Sequence, residues 1–266
     1  MPNETVAASL FYDLSLRIAQ QGSGPAAMIL HGGGGPATVT DLATHLAENY
    51  RTILPTHPGW DGTSRPDWVA GIDDLAMVYL RYLKQEGHRN VVLVGSSIGG
   101  WLAAEMAIRD TGNLVGAIVL VNPIGISVPR ETIADIFSMT PREMAELAFH
   151  QPDQFFIDPA GLPAETQAVQ MKNRDALRQI AGNPYMHDPK LVARFRFVDV
   201  PSVVIWGESD RIVGSAYGRA YAQALPRGRF AMITRAGHLP HIEKPDATFA
   251  AIDGFLASNA SAPAPN

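Results

Sequence analysis

The chain of 266 residues is 46% hydrophobic and 18% charged, the composition of a globular domain with a sizeable core and not of a disordered segment. Its 21 basic and 26 acidic side chains leave a net charge of −5, a field that attracts neither nucleic acid nor an anionic membrane. The absence of cysteine excludes disulfides, iron–sulfur clusters, thiolate zinc sites and thiol nucleophiles, so any nucleophile must come from oxygen or nitrogen.

Along the chain, short apolar runs at residues 14–18, 26–30, 51–54, 91–94, 115–121, 203–206 and 229–233 are mostly continuous, the pattern of strands buried on both faces of a parallel sheet. Between them, residues 40–48, 72–85, 98–108, 215–224 and 246–256 carry helical periodicity. Strand and helix in alternation predict an α/β chain with a mostly parallel central sheet covered by helices on both faces. Residues 125–198 break the rhythm: helix signals crowd there without a β run, which predicts a helical cap inserted into a core of residues 1–124 and 199–266. In that insert Thr140-Pro141-Arg142-Glu143 is a capping box, Asp188-Pro189 repeats the proline-first start, and Gly182 should end a helix over 164–181. The tail from Ser258 to Asn266 is polar and proline-bearing and is expected to fray. No leader pattern opens the chain and no run approaches the roughly 18 apolar residues of a membrane span, so a cytoplasmic location is the expectation.

A glycine loop, His31-Gly32-Gly33-Gly34-Gly35-Pro36, follows the second of these runs. Gly32-x-Gly34-x-x-Ala37 matches a dinucleotide fingerprint, but the next strand ends at His57 without the acid that would hold a ribose, and no Walker lysine is present. The other use of such a loop is to let backbone N–H groups approach a reacting oxygen. Further on, Val91-Val92-Leu93-Val94 leads into Gly95-Ser96-Ser97-Ile98-Gly99 and then a helix. This G-x-S-x-G frame in a strand–turn–helix setting lifts a serine above the sheet, and it selects Ser97 over Ser96. A serine hydroxyl needs a base and a group to orient that base. Past two later strands lie Glu208 and Asp210, after Trp206-Gly207, and His238, after Gly237. Ser97, Asp210 and His238 keep the chain order of a Ser-Asp-His triad, each just beyond a strand's C-terminal end. His241 with His238 has neither thiols nor a helical H-E-x-x-H around it, so a metal pair is not the reading.

These motifs, with His57-Pro58-Gly59-Trp60-Asp61-Gly62, span nearly the whole chain and resemble the α/β-hydrolase fold superfamily in its cap-bearing branch of esterases and C–C bond hydrolases. The resemblance implies a cap after the sixth strand, Ser97 as nucleophile, His238 as base, Asp210 rather than Glu208 as its orienter, and the backbone N–H groups of Gly33 and Ile98 as an oxyanion hole, with no cofactor or metal. It implies a serine hydrolase of carboxylesterase type acting on a small apolar acyl substrate. C–C hydrolysis of dienone acids, a lactonase or perhydrolase reaction, and a small-molecule receptor on the same fold stay open. Dehalogenases and epoxide hydrolases of this fold place an aspartate where Ser97 stands, and the C–C hydrolases typically have Asn and Trp where this chain has Ser96 and Leu239. The cap supplies Ile136, Phe137, Met144, Phe149, Phe155, Phe156, Met171 and Phe195 as candidates for an apolar pocket. Arg142, Arg174 and Arg178 are the candidates for holding a substrate carboxylate.

Overall fold

The computed structural model describes residues 4–11 and 13–260. Within them eight strands form one sheet: β1 (Glu4–Phe11), β2 (Leu14–Gln21), β3 (Ala26–Leu30), β4 (Arg51–Thr56), β5 (Val91–Ser96), β6 (Val115–Val121), β7 (Ser202–Gly207) and β8 (Gly228–Ile233). Their spatial order is β1-β2-β4-β3-β5-β6-β7-β8. Only β2 runs against the rest, pairing antiparallel with β1 and β4. The helices are α1 (Thr40–Leu46), α2 (Ile72–Gln85), α3 (Ile98–Arg109), α4 (Pro141–Ala148), α5 (Pro152–Phe155), α6 (Ala164–Ile180), α7 (Leu191–Arg194), α8 (Ser215–Ala224), α9 (Pro240–Glu243) and α10 (Pro245–Ala260).

The period-two alternation of the central strands divides their apolar side chains between two cores. Leu93, Ile118, Leu120, Val204 and Trp206 face one way and pack with residues of α2, α3 and α8. Val92, Val94, Val119, Val203 and Ile205 face the other way, toward α1 and α10. Both faces are therefore dry, which is why the runs in the sequence are continuous. The stretch between β6 and β7 holds α4 to α7 and no strand, only isolated bridges between Gly125 and His187 and between Val128 and Glu131. Among the described residues no helix is long and apolar enough to cross a membrane.

Three details differ from the sequence expectations. Strand β1 is absent from the apolar runs because Thr5, Val6, Ala7 and Ser9 are exposed at the sheet edge and, among its described side chains, Leu10 alone is buried; with it, β6 becomes the sixth strand. Asp188 accepts the Lys190 N–H at 2.7 Å but caps only a turn, and the helix itself starts at Leu191. Ser258 and Asn259 do not fray: both side chains donate to the Phe255 carbonyl, at 2.8 and 2.7 Å, within α10. The remainder of that tail, residues 261–266, lies outside the described residues.

The chain leaves β3 toward β4 on one side and β5 lies on the other, so the strand order reverses at β3, the place where open α/β sheets form a crevice. There the main chains of β3, β5 and α3 touch. A Cβ at Gly95 would stand 2.1 Å from the Gly99 carbonyl oxygen, and one at Gly99 would stand 2.1 Å from the Leu30 carbonyl oxygen. Gly99→Ala is therefore expected to cost about 1–3 kcal/mol by overpacking. Gly254→Ala, in α10 where a Cβ meets nothing within 4 Å, should instead stabilise by roughly 0.5–1 kcal/mol through helix propensity. Urea midpoints of the two variants check this: opposite signs are expected, and a neutral Gly99→Ala would contradict the contact.

Candidate active site

Ser97 follows β5 and precedes α3 with φ 56° and ψ −116°, a strained conformation for a residue with a Cβ. Its N–H donates to the Val121 carbonyl at 2.9 Å and its carbonyl accepts the Gly100 N–H at 3.0 Å, so the turn is held from both sides. The hydroxyl lies 3.0 Å from His238 Nε2, and His238 Nδ1 lies 2.7 Å from Asp210 Oδ2. A carboxylate only accepts, so Nδ1 carries the proton and Nε2 presents its lone pair to Ser97. The Asp210 side chain is fully buried. Its Oδ2 also accepts from Asn122 Nδ2 at 2.7 Å, and its Oδ1 accepts from the Ile212 and Val213 N–H groups at 2.9 and 3.3 Å. Glu208 is exposed and accepts the Arg235 N–H at 3.1 Å. It is Asp210 that meets the imidazole.

Asn122 escaped the sequence reading. It stands directly after β6, fully buried, with φ 44°, and its Oδ1 accepts the Gly207 N–H at 3.1 Å while its Nδ2 serves Asp210. A lone asparagine at a strand end carries no motif; only its left-handed backbone hints at a special position.

The glycine loop lies across the elbow. A Cβ at Gly32 would stand 3.3 Å from Ser97 Cβ, and a Cβ at Gly33 would stand 2.5 Å from Leu177 Cδ2 on α6. Neither the Gly33 nor the Ile98 N–H donates to a protein acceptor among the described residues, and Ile98 is the first residue of α3, where helix amides are unpaired and the dipole favours negative charge. Behind the loop, His31 and His57 stack at 3.7 Å between ring centroids. His31 Nε2 accepts the His57 N–H at 3.0 Å, which leaves Nδ1–H to donate to the Gly32 carbonyl at 2.7 Å. His57 Nε2–H donates to the His31 carbonyl at 3.1 Å, and its Nδ1 accepts from the Tyr79 hydroxyl at 2.7 Å. Each ring is thus committed to one neutral tautomer. His241 donates from Nε2 to the Thr38 carbonyl at 3.1 Å and among the described residues has no partner at Nδ1.

A family model described as "Alpha/beta hydrolase family" matches residues 28–252. The chain belongs to this family. Among curated relatives, Lipase 1 of Psychrobacter immobilis is 24% identical over 242 residues, covering 85% of this chain and 75% of that protein. The 2-hydroxy-6-oxo-6-phenylhexa-2,4-dienoate hydrolase of Comamonas testosteroni is 26% identical over 259 residues, 88% of each chain. A crystal structure of a membrane phospholipase A, a bacterial virulence factor, superposes with a TM-score of 0.81 at 21% identity, covering 98% of this chain and 87% of that one. A serine hydrolase involved in carbazole degradation superposes with a TM-score of 0.75 at 21% identity, over 96% and 99% of the two chains. At such identity the structures establish the fold, and it is the alpha/beta-hydrolase fold.

In this hydrolase the three candidate arginines of the insert already have partners. Arg174 donates to the carbonyls of Ile136, Phe137 and Met139 at 2.9 to 3.1 Å. Arg142 pairs with Glu146 and Asp153, and Arg178 pairs with Asp175 and covers the Phe137 ring. Of the apolar candidates, Phe195 is fully buried against Tyr221, Met171 is 63% exposed, and Phe149 stacks on Phe155 at 5.5 Å. Leu177, which the sequence did not single out, is the insert residue packed on Gly33.

Burial drives His31 and His241 down to about 4, and it holds His57 well below the ordinary value of 6.5, with the neighbouring His31 adding to the effect. These rings are neutral in the fold and titrate near 6.5 when unfolded, so the unfolded chain binds more protons below that pH and stability falls as pH drops from about 6.5 toward 4. Each ring shifted to about 4 contributes about 3 kcal/mol to that loss. Urea midpoints should decline already between about pH 6.5 and 5, above the usual carboxylate range; a flat profile there would contradict the neutral assignment.

Proposed function

We propose that this chain is a serine hydrolase of carboxylesterase type and that residues 125–198 act as a cap over its site. The observation that carries the reading is the unbroken chain Ser97 Oγ, His238, Asp210 at 3.0 and 2.7 Å, beside two backbone N–H groups without acceptors among the described residues. Ser97 Oγ attacks the ester carbonyl carbon as its proton passes to His238 Nε2, and Asp210 stabilises the imidazolium so formed. The carbonyl oxygen becomes an oxyanion that accepts from Gly33 and Ile98. The C–O bond then breaks, the alcohol leaves with the proton from His238, and the acyl group stays on Ser97. Water deprotonated by His238 attacks that ester, releases the acid and restores the serine.

A second reading, cleavage of a C–C bond in a dienone acid, draws support from the 88% mutual coverage with the dienoate hydrolase. It asks for a cation to hold the substrate carboxylate, and the three candidates Arg142, Arg174 and Arg178 are held by their own neighbours. A neutral acyl group suits such a cap better.

Ser97→Ala should abolish p-nitrophenyl ester hydrolysis and Ser96→Ala should retain most of it, with a fluorophosphonate adding one label at Ser97; a label elsewhere would remove the mechanism. Asp210→Asn should lower kcat by about 10⁴, by analogy with a triad protease, while Glu208→Gln stays near wild type. Across acetate to octanoate esters, kcat/KM should rise severalfold per CH₂, at about 0.8 kcal/mol each, until the pocket is full. Flat kinetics would sink the apolar-pocket claim, and faster turnover of a dienone acid than of any ester would install the second reading.

A further inference from the structure

Glu243, the last residue of α9, is buried, and the reaction written above does not use it. Its carboxylate nevertheless gathers donors from two separate parts of the chain. Oε1 accepts the His150 and Gln151 N–H groups at 2.9 and 3.1 Å, and Oε2 accepts His150 N–H at 3.1 Å together with the N–H of Gly237. Among the described residues no Lys, Arg or His side chain stands at ion-pair distance from it. A buried carboxylate held only by main-chain N–H groups is stabilised by charge-assisted bonds, and it fixes the peptides that supply them.

Those peptides are the ones that matter. Gly237 immediately precedes His238, and His150 and Gln151 follow α4, the first helix of the cap. The His238 N–H itself donates to the Ala148 carbonyl at 2.6 Å, and a Cβ at Gly237 would stand 2.1 Å from that same oxygen. The acid loop is tied to the same place: Arg211 N–H donates to the Leu147 carbonyl at 3.0 Å, and His150 Nδ1 lies 2.7 Å from Ser209 Oγ.

We propose that Glu243 is a positioning residue that clamps the start of the cap to the histidine loop, so that the seat of His238 above Ser97 depends on the cap being docked. The proposal rests on the triad reading. An amide side chain has one accepting oxygen and one donating nitrogen. Glu243→Gln can therefore satisfy the cap amides or Gly237 but not both, and it splits the clamp without changing the size of the side chain.

In the full-length protein, E243Q should fold cooperatively, keep KM for p-nitrophenyl butyrate within about twofold, and lose roughly 10- to 100-fold in kcat, the scale of a catalytic group displaced by a fraction of an ångström to 1 Å. A residue of merely structural worth would lower the melting temperature and leave kcat per folded molecule unchanged. Hydrogen exchange gives a readout independent of turnover. In the wild type the amides of Gly237, His150 and Gln151 should be protected together, and in E243Q one side of the clamp should exchange faster. A folded E243Q with kcat within about twofold of wild type overturns the proposal, as does a wild type in which these amides exchange like open loops. If E243Q does not fold, E243D keeps the charge and shortens the reach, and an unchanged kcat there overturns it equally. A wild type that neither turns over esters nor takes the fluorophosphonate at Ser97 would instead defeat the triad reading, and the exchange data would still report on the clamp.

Discussion

Three stretches of main chain meet with no side chain between them at the crossing of β3, β5 and α3, and the rest of the site depends on that contact. The carbonyl of Leu30 occupies the space a Cβ of Gly99 would need, and the carbonyl of Gly99 does the same to Gly95. Contact this close pulls α3 up against the end of β5, and the only residue left to turn the corner is Ser97, in a backbone region where a side chain is strained. The same contact brings the glycine loop to rest on Ser96 and Ser97, 3.2 to 3.3 Å from where a Gly32 Cβ would be. Candidate nucleophile and candidate oxyanion donors are thus set in one step by backbone packing, which holds position better than flexible side chains could.

Four histidines are buried, and their partners separate them by role. In His31 and His57 every ring nitrogen is matched by a neutral backbone or hydroxyl group, so a further proton would break a bond in a dry environment. They brace the glycine loop and the loop after β4 against each other. His241 has one neutral acceptor and one empty position, and burial holds it neutral as well. Only His238 faces a buried carboxylate on one side and a hydroxyl on the other. It is the one buried ring whose surroundings can take up a proton from a neighbour and stabilise the cation that results.

The sheet was legible in the sequence because strands dry on both faces announce themselves as unbroken apolar runs, and the cluster of Ser97, His238 and Asp210 was legible because each member stands just past such a run. Strand β1 was not, since an edge strand with most of its side chains in solvent has no need of apolar residues. The Thr140 capping box was legible because it is local, with Glu143 Oε2 accepting the Thr140 N–H at 2.8 Å. Asn122 and Glu243 were invisible for the opposite reason. Their partners lie 88 and 93 residues away in the chain, and one polar residue has no periodicity to betray it. The partners of Arg174 were hidden for a related cause: it is answered by backbone carbonyls, which no pattern of charges in the sequence reveals.

Two of the places where the insert between β6 and β7 grips the core lie beside the site, and they limit how it can move. At one end Leu147 and Ala148 accept hydrogen bonds from the acid and histidine loops, and Glu243 binds the residues just after them. At the other end Asn173 on α6 exchanges two hydrogen bonds with Asp61, both at 2.8 Å, and Leu177 covers Gly33. Rotating the insert away as a rigid lid would break both sets together, giving up the bonds to Glu243 and the Asn173–Asp61 pair at once. Between these two grips lie residues 152–163, none of them buried, with Ile157 68% exposed. Shifting that stretch breaks little packing, so it can change shape at low cost while Ser97, His238, Asp210 and the glycine loop stay in register.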